Sequence, residues 1–148
     1  MAARRGKIGL QHGTLDSLLG YHLRRAQVAA FADFARTMSS IDLTPGQFGV
    51  LVLIAANAGL SQSALGTALG LDRSTVVGVI DRLERRGLVV RAPAPNDRRS
   101  YALKLTDKGE GVRQEMAQRV RGHERRIARR LSGAERERLI ELLKLVAG

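Results

Sequence analysis

LSQSALGTALGLDRSTVVGVIDRLERRGLVVRAPAPNDRRSYALKLTDKG, residues 60–109, sets two short helical patterns either side of a glycine and follows them with two short alternating runs around a turn. Ser61 can cap a helix over Gln62 to Leu69, and Gly70 supplies the tight turn after it. Asp72 caps a second helix running to Arg86, with Gly87 just past its end. Leu88 to Arg91 reads as a strand. Pro93 and Pro95 are expected to interrupt it, Asn96-Asp97 favours a turn, and Tyr101 to Leu105 alternates as the return strand.

Working outward, Leu15, Leu18, Leu19, Leu23, Ala26, Ala30, Phe34 and Met38 recur at helical spacing, which predicts one long helix from Thr14 to Met38. Thr44-Pro45-Gly46-Gln47 is a capping box with proline at the first helical position. The helix it opens, through Phe48, Leu51, Val52 and Ile54, is apolar nearly all round and should be buried. Asn57-Ala58-Gly59 ends it. Downstream, Thr106 caps a long basic helix with Met116, Val120, His123, Ile127 and Leu131 in rhythm. Ser132-Gly133-Ala134-Glu135 is a second capping box, opening a last helix with Leu139, Leu142, Leu143 and Val146 on its apolar face.

The chain has 148 residues and 44% apolar content, enough for one domain with a core, or one domain plus arms that a partner must cover. No apolar run approaches the ~20 residues that cross a bilayer. The first residues, MAARRGKIGLQHG, lack the apolar region of a secretory signal, so a cytoplasmic protein is expected. With no cysteine, disulfides and thiolate metal sites are excluded. His12, His22 and His123 show no ligand spacing and read as surface or half-buried side chains, so no metal and no cofactor are expected. No nucleophile–base pair, phosphate loop or carboxylate pair stands at usable spacing, which argues against an enzyme. The strongest signal is charge: 25 Lys+Arg against 14 Asp+Glu, net +11, pointing to a polyanionic partner. With aromatics at only 3%, platforms for stacking single-stranded bases are scarce, so RNA is disfavoured.

Two helices joined by a glycine turn and followed by a hairpin make a winged helix-turn-helix. The major groove of B-DNA, about 12 Å wide, admits one helix that presents small and polar residues at its leading end. Arg73, Ser74 and Thr75 form such an end: the arginine can reach base or phosphate, and the hydroxyls can bond either. Val76, Val79, Ile80 and Leu83 should face inward. An ordinary capped amphipathic helix would look similar. The hairpin weighs against that, because a wing beside a recognition helix reaches the adjacent minor groove, whose narrow A·T tracts attract arginine. Asp97 is near enough in sequence to clamp Arg99 and limit its rotamer freedom.

Residues 60–109, with their DRST start, DRLERRGLV tail, NDRRS wing and LTDKG re-entry into helix, resemble the DNA-binding core of the MarR family of transcriptional regulators. The flanking helices match that family's architecture, so the resemblance covers nearly the whole chain. It implies a mainly α fold with a small β wing: a single domain over 1–148, with the winged helix-turn-helix at 44–106 and dimerisation helices at 12–40 and 107–147 intertwined in an obligate homodimer. It implies a repressor on an inverted-repeat double-stranded operator, with the Asp97–Arg99 pair at the wing tip and Arg99 in the minor groove. The residues expected at DNA are Ser61, Gln62, Ser63, Arg73, Ser74, Thr75, Val77, Gly78, Arg82, Asp97, Arg98 and Arg99. Val77 and Gly78 depart from the longer polar residues of many members. Glycine inside a helix costs about 0.5–1 kcal/mol relative to alanine, so either close approach to DNA or tight packing against a neighbouring helix should compensate. A non-specific architectural DNA binder is the competing reading, separated by its low ratio of specific to non-specific affinity.

Residues 20–34, GYHLRRAQVAAFADF, set Arg24 and Arg25 among apolar neighbours ahead of Phe31 and Phe34. With LTPGQFGVLVLI after it, this segment is similar to a branch of the family that governs aromatic-acid degradation, some of whose members answer aryl-coenzyme A thioesters. That resemblance implies a small-molecule effector, an aromatic acid or aryl-CoA thioester, held by His22, Arg24, Arg25, Phe31, Phe34 and Phe48. Intersubunit salt bridges or DNA phosphate would equally occupy Arg24 and Arg25. Between Arg113 and Arg138 lie nine arginines and four acidic residues, most of which read as a solvated helix face.

Overall fold

Local sequence chemistry sets nearly every helix start. The computed structural model describes residues 9–94 and 97–148, and of residues 97–100 the backbone alone. After a short 3-10 turn at Gly13–Ser17 come helices α1 (Leu19–Thr37), α2 (Pro45–Ala56), α3 (Gln62–Leu69) and α4 (Arg73–Arg85). Strands β1 (Val89–Ala94) and β2 (Asp97–Leu105) form an antiparallel ribbon, and α5 (Asp107–Ile127) and α6 (Gly133–Ala147) complete the chain. Thr44, Ser61, Asp72, Thr106 and Ser132 each accept a backbone N–H from three residues on, and the boxes at Thr44–Gln47 and Ser132–Glu135 are reciprocal. Gly70, at φ 64°, turns α3 into α4 in the left-handed conformation that glycine adopts freely.

Three expectations are corrected by the structure. The helix expected from Thr14 is broken at Leu18, which is extended at φ −93° and ψ 120°. The Ser17 hydroxyl donates to the Thr14 carbonyl at 2.8 Å, and His22 Nε2 bonds the Asp16 carbonyl at 2.8 Å. Side chains here satisfy backbone groups that a continuous helix would use, so the turn competes with it. The first strand also continues through Pro93 to Ala94. In a two-stranded ribbon each strand has a free edge, where a missing N–H costs no ladder bond, and the register shifts between Pro93 and Ala94. α2 is only partly enclosed: Val50, Leu51 and Ile54 are buried and Val52 faces out.

One core joins the winged segment to its flanks. Phe34 of α1 and Met38 just after it, Leu51 and Ile54 of α2, Ile80 and Leu83 of α4, Leu88, Leu103, and Met116 of α5 pack together. Arg86 pins the α1–α2 loop to the end of α4, donating to the carbonyls of Ile41 at 2.7 Å and Asp42 at 2.6 Å. Leu103 N–H bonds the Leu60 carbonyl at 2.8 Å, and Ser61 bridges Ala102, so the start of α3 is tied to the wing. The LTDKG motif closely meets Gly87 and Leu88, just ahead of β1. Thr106 Oγ1 donates to the Gly87 carbonyl at 2.6 Å, and a Cβ on Gly109 would lie 2.0 Å from the Leu88 oxygen. α6 buries no residue at all.

Candidate DNA interface and inter-helix cavity

The leading end of α4 is organised by Asp72. Its carboxylate accepts from Thr75 N–H at 2.8 Å, from the Ser74 hydroxyl at 2.7 Å and from the Thr75 hydroxyl at 2.8 Å. These bonds, the Ser74 hydroxyl foremost, hold the carboxyl down at about 2. Both hydroxyl protons point at Asp72. Ser74 and Thr75 therefore present lone pairs outward, suited to a base amino group, and would have to leave Asp72 to donate to phosphate. Val76, Ile80 and Leu83 are buried and Val79 packs beside them, as the spacing predicts. Arg73, Ser74, Thr75 and Arg82 are exposed, with Val77 and Gly78 half-buried between them. A Cβ on Gly78 would meet only Arg82 Nη2, at 4.0 Å. Among the described residues no other helix packs on the glycine, so tight packing within the protomer is not what compensates it.

A groove of about 680 Å³ lies between α3, α4 and the wing base. It brings together Ser61, Gln62, Ser63, Arg73 and Val77 of the expected set and adds Thr67, Arg91 and Tyr101. Ser61 is occupied as a cap, accepting from Ala64 N–H at 3.1 Å. Gln62 is occupied too: its amide oxygen accepts from Arg91 Nε at 2.6 Å. The remaining Arg91 nitrogens bond Asp81, at 2.7 Å, and Glu84, both on α4. Strand alternation is the sequence signal for Arg91, since it puts the arginine on the same face as the buried Val89. The expected Asp97–Arg99 clamp, and the Arg98 side chain, lie outside the described residues.

The second feature is a cavity of about 1300 Å³ between α1, α5 and α6. Of the six expected effector residues only Arg24 lines it, among Leu23, Ala26, Ala30, Ile127, Leu139 and Leu143. The Arg25 guanidinium stacks on Tyr21, 5.7 Å from the ring centroid. Phe31 is exposed, Phe48 packs against the core, and Phe34 is buried edge-on to His123. The apolar wall of this cavity is aliphatic rather than aromatic.

His123, expected at or near the surface, is buried and bonded through Nδ1 to Asp33 at 2.8 Å. Asp33 also receives Arg126 through Nε and Nη2, each at 3.0 Å, and Arg126 Nη2 donates to Thr37 at 2.6 Å. The Arg126 and His123 bonds hold the Asp33 carboxyl well below the usual carboxylate range. The position of His123 in the apolar rhythm of α5 was the available sign of burial. Among the described residues no group of His, Asp or Glu has the arrangement of a metal site, and no helix is long and apolar enough to cross a membrane.

A capped helix with a small polar leading end and a ribbon tied to its partner helix, in a chain of net charge +11, have the form of a winged helix-turn-helix. The comparisons agree. Residues 41–100 match the family model described as MarR family. A transcriptional regulatory protein for the hcr operon of Thauera aromatica is 48% identical over 136 residues, 91% of this chain and 82% of the relative. The transcriptional repressor CouR, bound to a 23-mer DNA duplex, is 42% identical with a TM-score of 0.90, covering 95% of this chain and 99% of that one. CouR bound to p-coumaroyl-CoA is 40% identical with a TM-score of 0.86, covering 94% and 98%. The PcaV regulator of Streptomyces coelicolor, in complex with its natural ligand, is 33% identical with a TM-score of 0.84, covering 93% and 97%. Fold, motif and likeness along nearly the whole chain converge, and the chain belongs to the MarR family of transcriptional regulators.

Proposed function

We propose that this chain is a homodimeric repressor that binds an inverted-repeat operator and is released by an aromatic effector of the aryl-CoA thioester class. Members of its family are DNA-binding regulators and not enzymes. The observation that carries the reading is the pairing of a DNA-shaped α3–α4–wing face with likeness to a repressor solved both on a DNA duplex and with p-coumaroyl-CoA. The dimer follows from α6. Leu139, Ile140, Leu142, Leu143, Leu145 and Val146 are all exposed, as are Leu15, Leu18 and Leu19 near the start of α1. A stripe of that size calls for a second copy, whose helices would enter the space between α1 and α6. Arg24, on that space, and Arg25, beside it on α1, supply the cations a CoA tail would need.

The effector acts by population shift: a ligand favouring one spacing of the two winged units disfavours the spacing that DNA requires. The test has two parts. Duplexes selected from a random pool by the protein should share an inverted repeat, and p-coumaroyl-CoA should release them at concentrations where free p-coumarate does not. Selection of no sequence, with affinity set by salt alone, would favour an architectural binder instead. Equal potency of acid and thioester would remove the CoA assignment and leave the regulator.

A further inference from the structure

We infer that Arg91 is a positioning residue for DNA recognition, holding the wing, α3 and α4 at one angle, and that Gln62 belongs to this clamp rather than to the base-reading set. The inference rests on the reading of α4 as the helix that enters the major groove.

Arg91 stands in the base of the wing, paired across the ribbon with Leu103. Its face of β1 points inward, where Val89 is fully buried, and the arginine side chain itself is only 19% exposed. A guanidinium in that place needs partners, and each of its three nitrogens has one. Nε donates to Gln62 on α3, Nη2 to Asp81 and Nη1 to Glu84 on α4. One planar fork therefore spans three elements. Lysine, a point charge on a flexible stem, could not reproduce that geometry.

The acidic partners make the purpose specific. Asp81 and Glu84 put two negative charges on the helix that approaches a polyanion, which by itself weakens DNA binding. Their use is geometric. A two-stranded ribbon is marginally stable alone, and this one is otherwise held to α3 by the Ser61–Ala102 bridge and the Leu60–Leu103 bond. Recognition requires the helix in one groove and the wing in the next at the same moment. Sequence discrimination, unlike bulk attraction, fails when that angle loosens.

The test compares the parent with Arg91→Met, Arg91→Lys and the double variant Asp81→Asn/Glu84→Gln, on the duplex the parent selects and on a scrambled duplex, across a salt series. A parent that selects no sequence fails the underlying reading before any variant is compared. With a selective parent, Arg91→Met should lower specific affinity about tenfold to a hundredfold, as a lost base pair contact does, and leave scrambled-duplex affinity within about threefold. Its salt slope should match the parent's, because Arg91 spends its donors on protein. Arg91→Lys should not restore specificity. Asp81→Asn/Glu84→Gln should also lose specificity although it removes negative charge, and adding Arg91→Met to it should cost little more. Should Arg91→Met not fold, the carboxylate variant decides by the same criterion. A slope reduced by about one phosphate contact would make Arg91 a direct DNA ligand and overturn the proposal. So would an unchanged specificity ratio in the carboxylate variant.

Discussion

Single side chains on this scaffold carry unequal burdens. At the wing tip, Arg99→Ala should weaken operator binding by roughly 1–3 kcal/mol, the worth of a good groove contact, and Asp97→Ala by part of that. A gel-shift titration at fixed salt measures both, and parent-like binding by Arg99→Ala would reduce the tip to a solubilising loop. Asp33 bears on stability instead. Its ordinary value is 3.8 and the folded chain holds it far lower, through Arg126 first and His123 second. The unfolded chain thus takes up the proton more readily. The contribution is full above about pH 4 and lost as pH falls through the folded carboxyl's lowered value. Asp33→Asn should flatten the acid limb of a stability–pH profile. Asp33→Ala should cost about 1.5–3 kcal/mol near neutrality, the range for hydrogen bonds to charged groups, in urea unfolding. An acid limb as steep in Asp33→Asn as in the parent would assign the acid sensitivity to other carboxylates.

At the scale of elements, the segment leading into β1 meets the start of α5 closely. Thr106 N–H bonds the Leu88 carbonyl at 3.1 Å, Lys108 Nζ bonds the Arg86 carbonyl at 3.0 Å, and Gly109 lies directly over Leu88. A methyl at Gly109 would meet backbone that has nowhere to move. Gly109→Ala should therefore destabilise by about 1–3 kcal/mol or more, the cost of overpacking, with denaturant midpoints as the measure. Gly66 is the milder counterpart: its Cβ would stand 3.1 Å from a Val76 methyl and 3.2 Å from the Leu71 carbonyl oxygen. Gly66→Ala should cost less than Gly109→Ala, because its contacts need give only a few tenths of an ångström, whereas the Leu88 carbonyl would stand 2.0 Å from the added Cβ. Reversal of that order would mean the α5 start relaxes more freely than its hydrogen bonds imply.

For the molecule as a whole, two-fold symmetry is the governing expectation. Dimeric helix-turn-helix proteins place recognition helices about one turn of DNA, roughly 10 bp, apart, and inserting about five base pairs at the operator centre turns the half-sites to opposite faces. That insertion should abolish specific binding in a competition assay. Unchanged affinity would rule out the symmetric dimer. With net charge +11, affinity should also fall steeply with salt, log K against log salt running at about −0.9 per neutralised phosphate. Truncation before α6 should leave a chain that sediments as a monomer or aggregates, since no residue of α6 is buried within the protomer. A well-behaved dimer lacking α6 would place the interface elsewhere.

The sequence by itself determined the starts of five of the six helices, α2 to α6, with the glycine turn and the hairpin. Each is set by contacts within a few residues: Thr44 with Gln47, Ser61 with Ala64, Asp72 with Thr75, Thr106 with Gly109, Ser132 with Glu135. Periodicity likewise named the inward face of α4, because burial follows helical geometry. It failed at Leu18, where apolar spacing continued but the Ser17 and His22 side chains bonded backbone carbonyls in place of helix. Tertiary structure alone decided what arginines and aromatics do. Arg91 with Gln62, Arg86 with Ile41 and Arg126 with Asp33 each reach partners far along the chain, ninety-three residues away for the last. Phe34 and Phe48 went to the core and Arg24 to the cavity. A long side chain can turn to either of two neighbouring elements, so its partner is fixed by packing between segments, which local pattern does not encode.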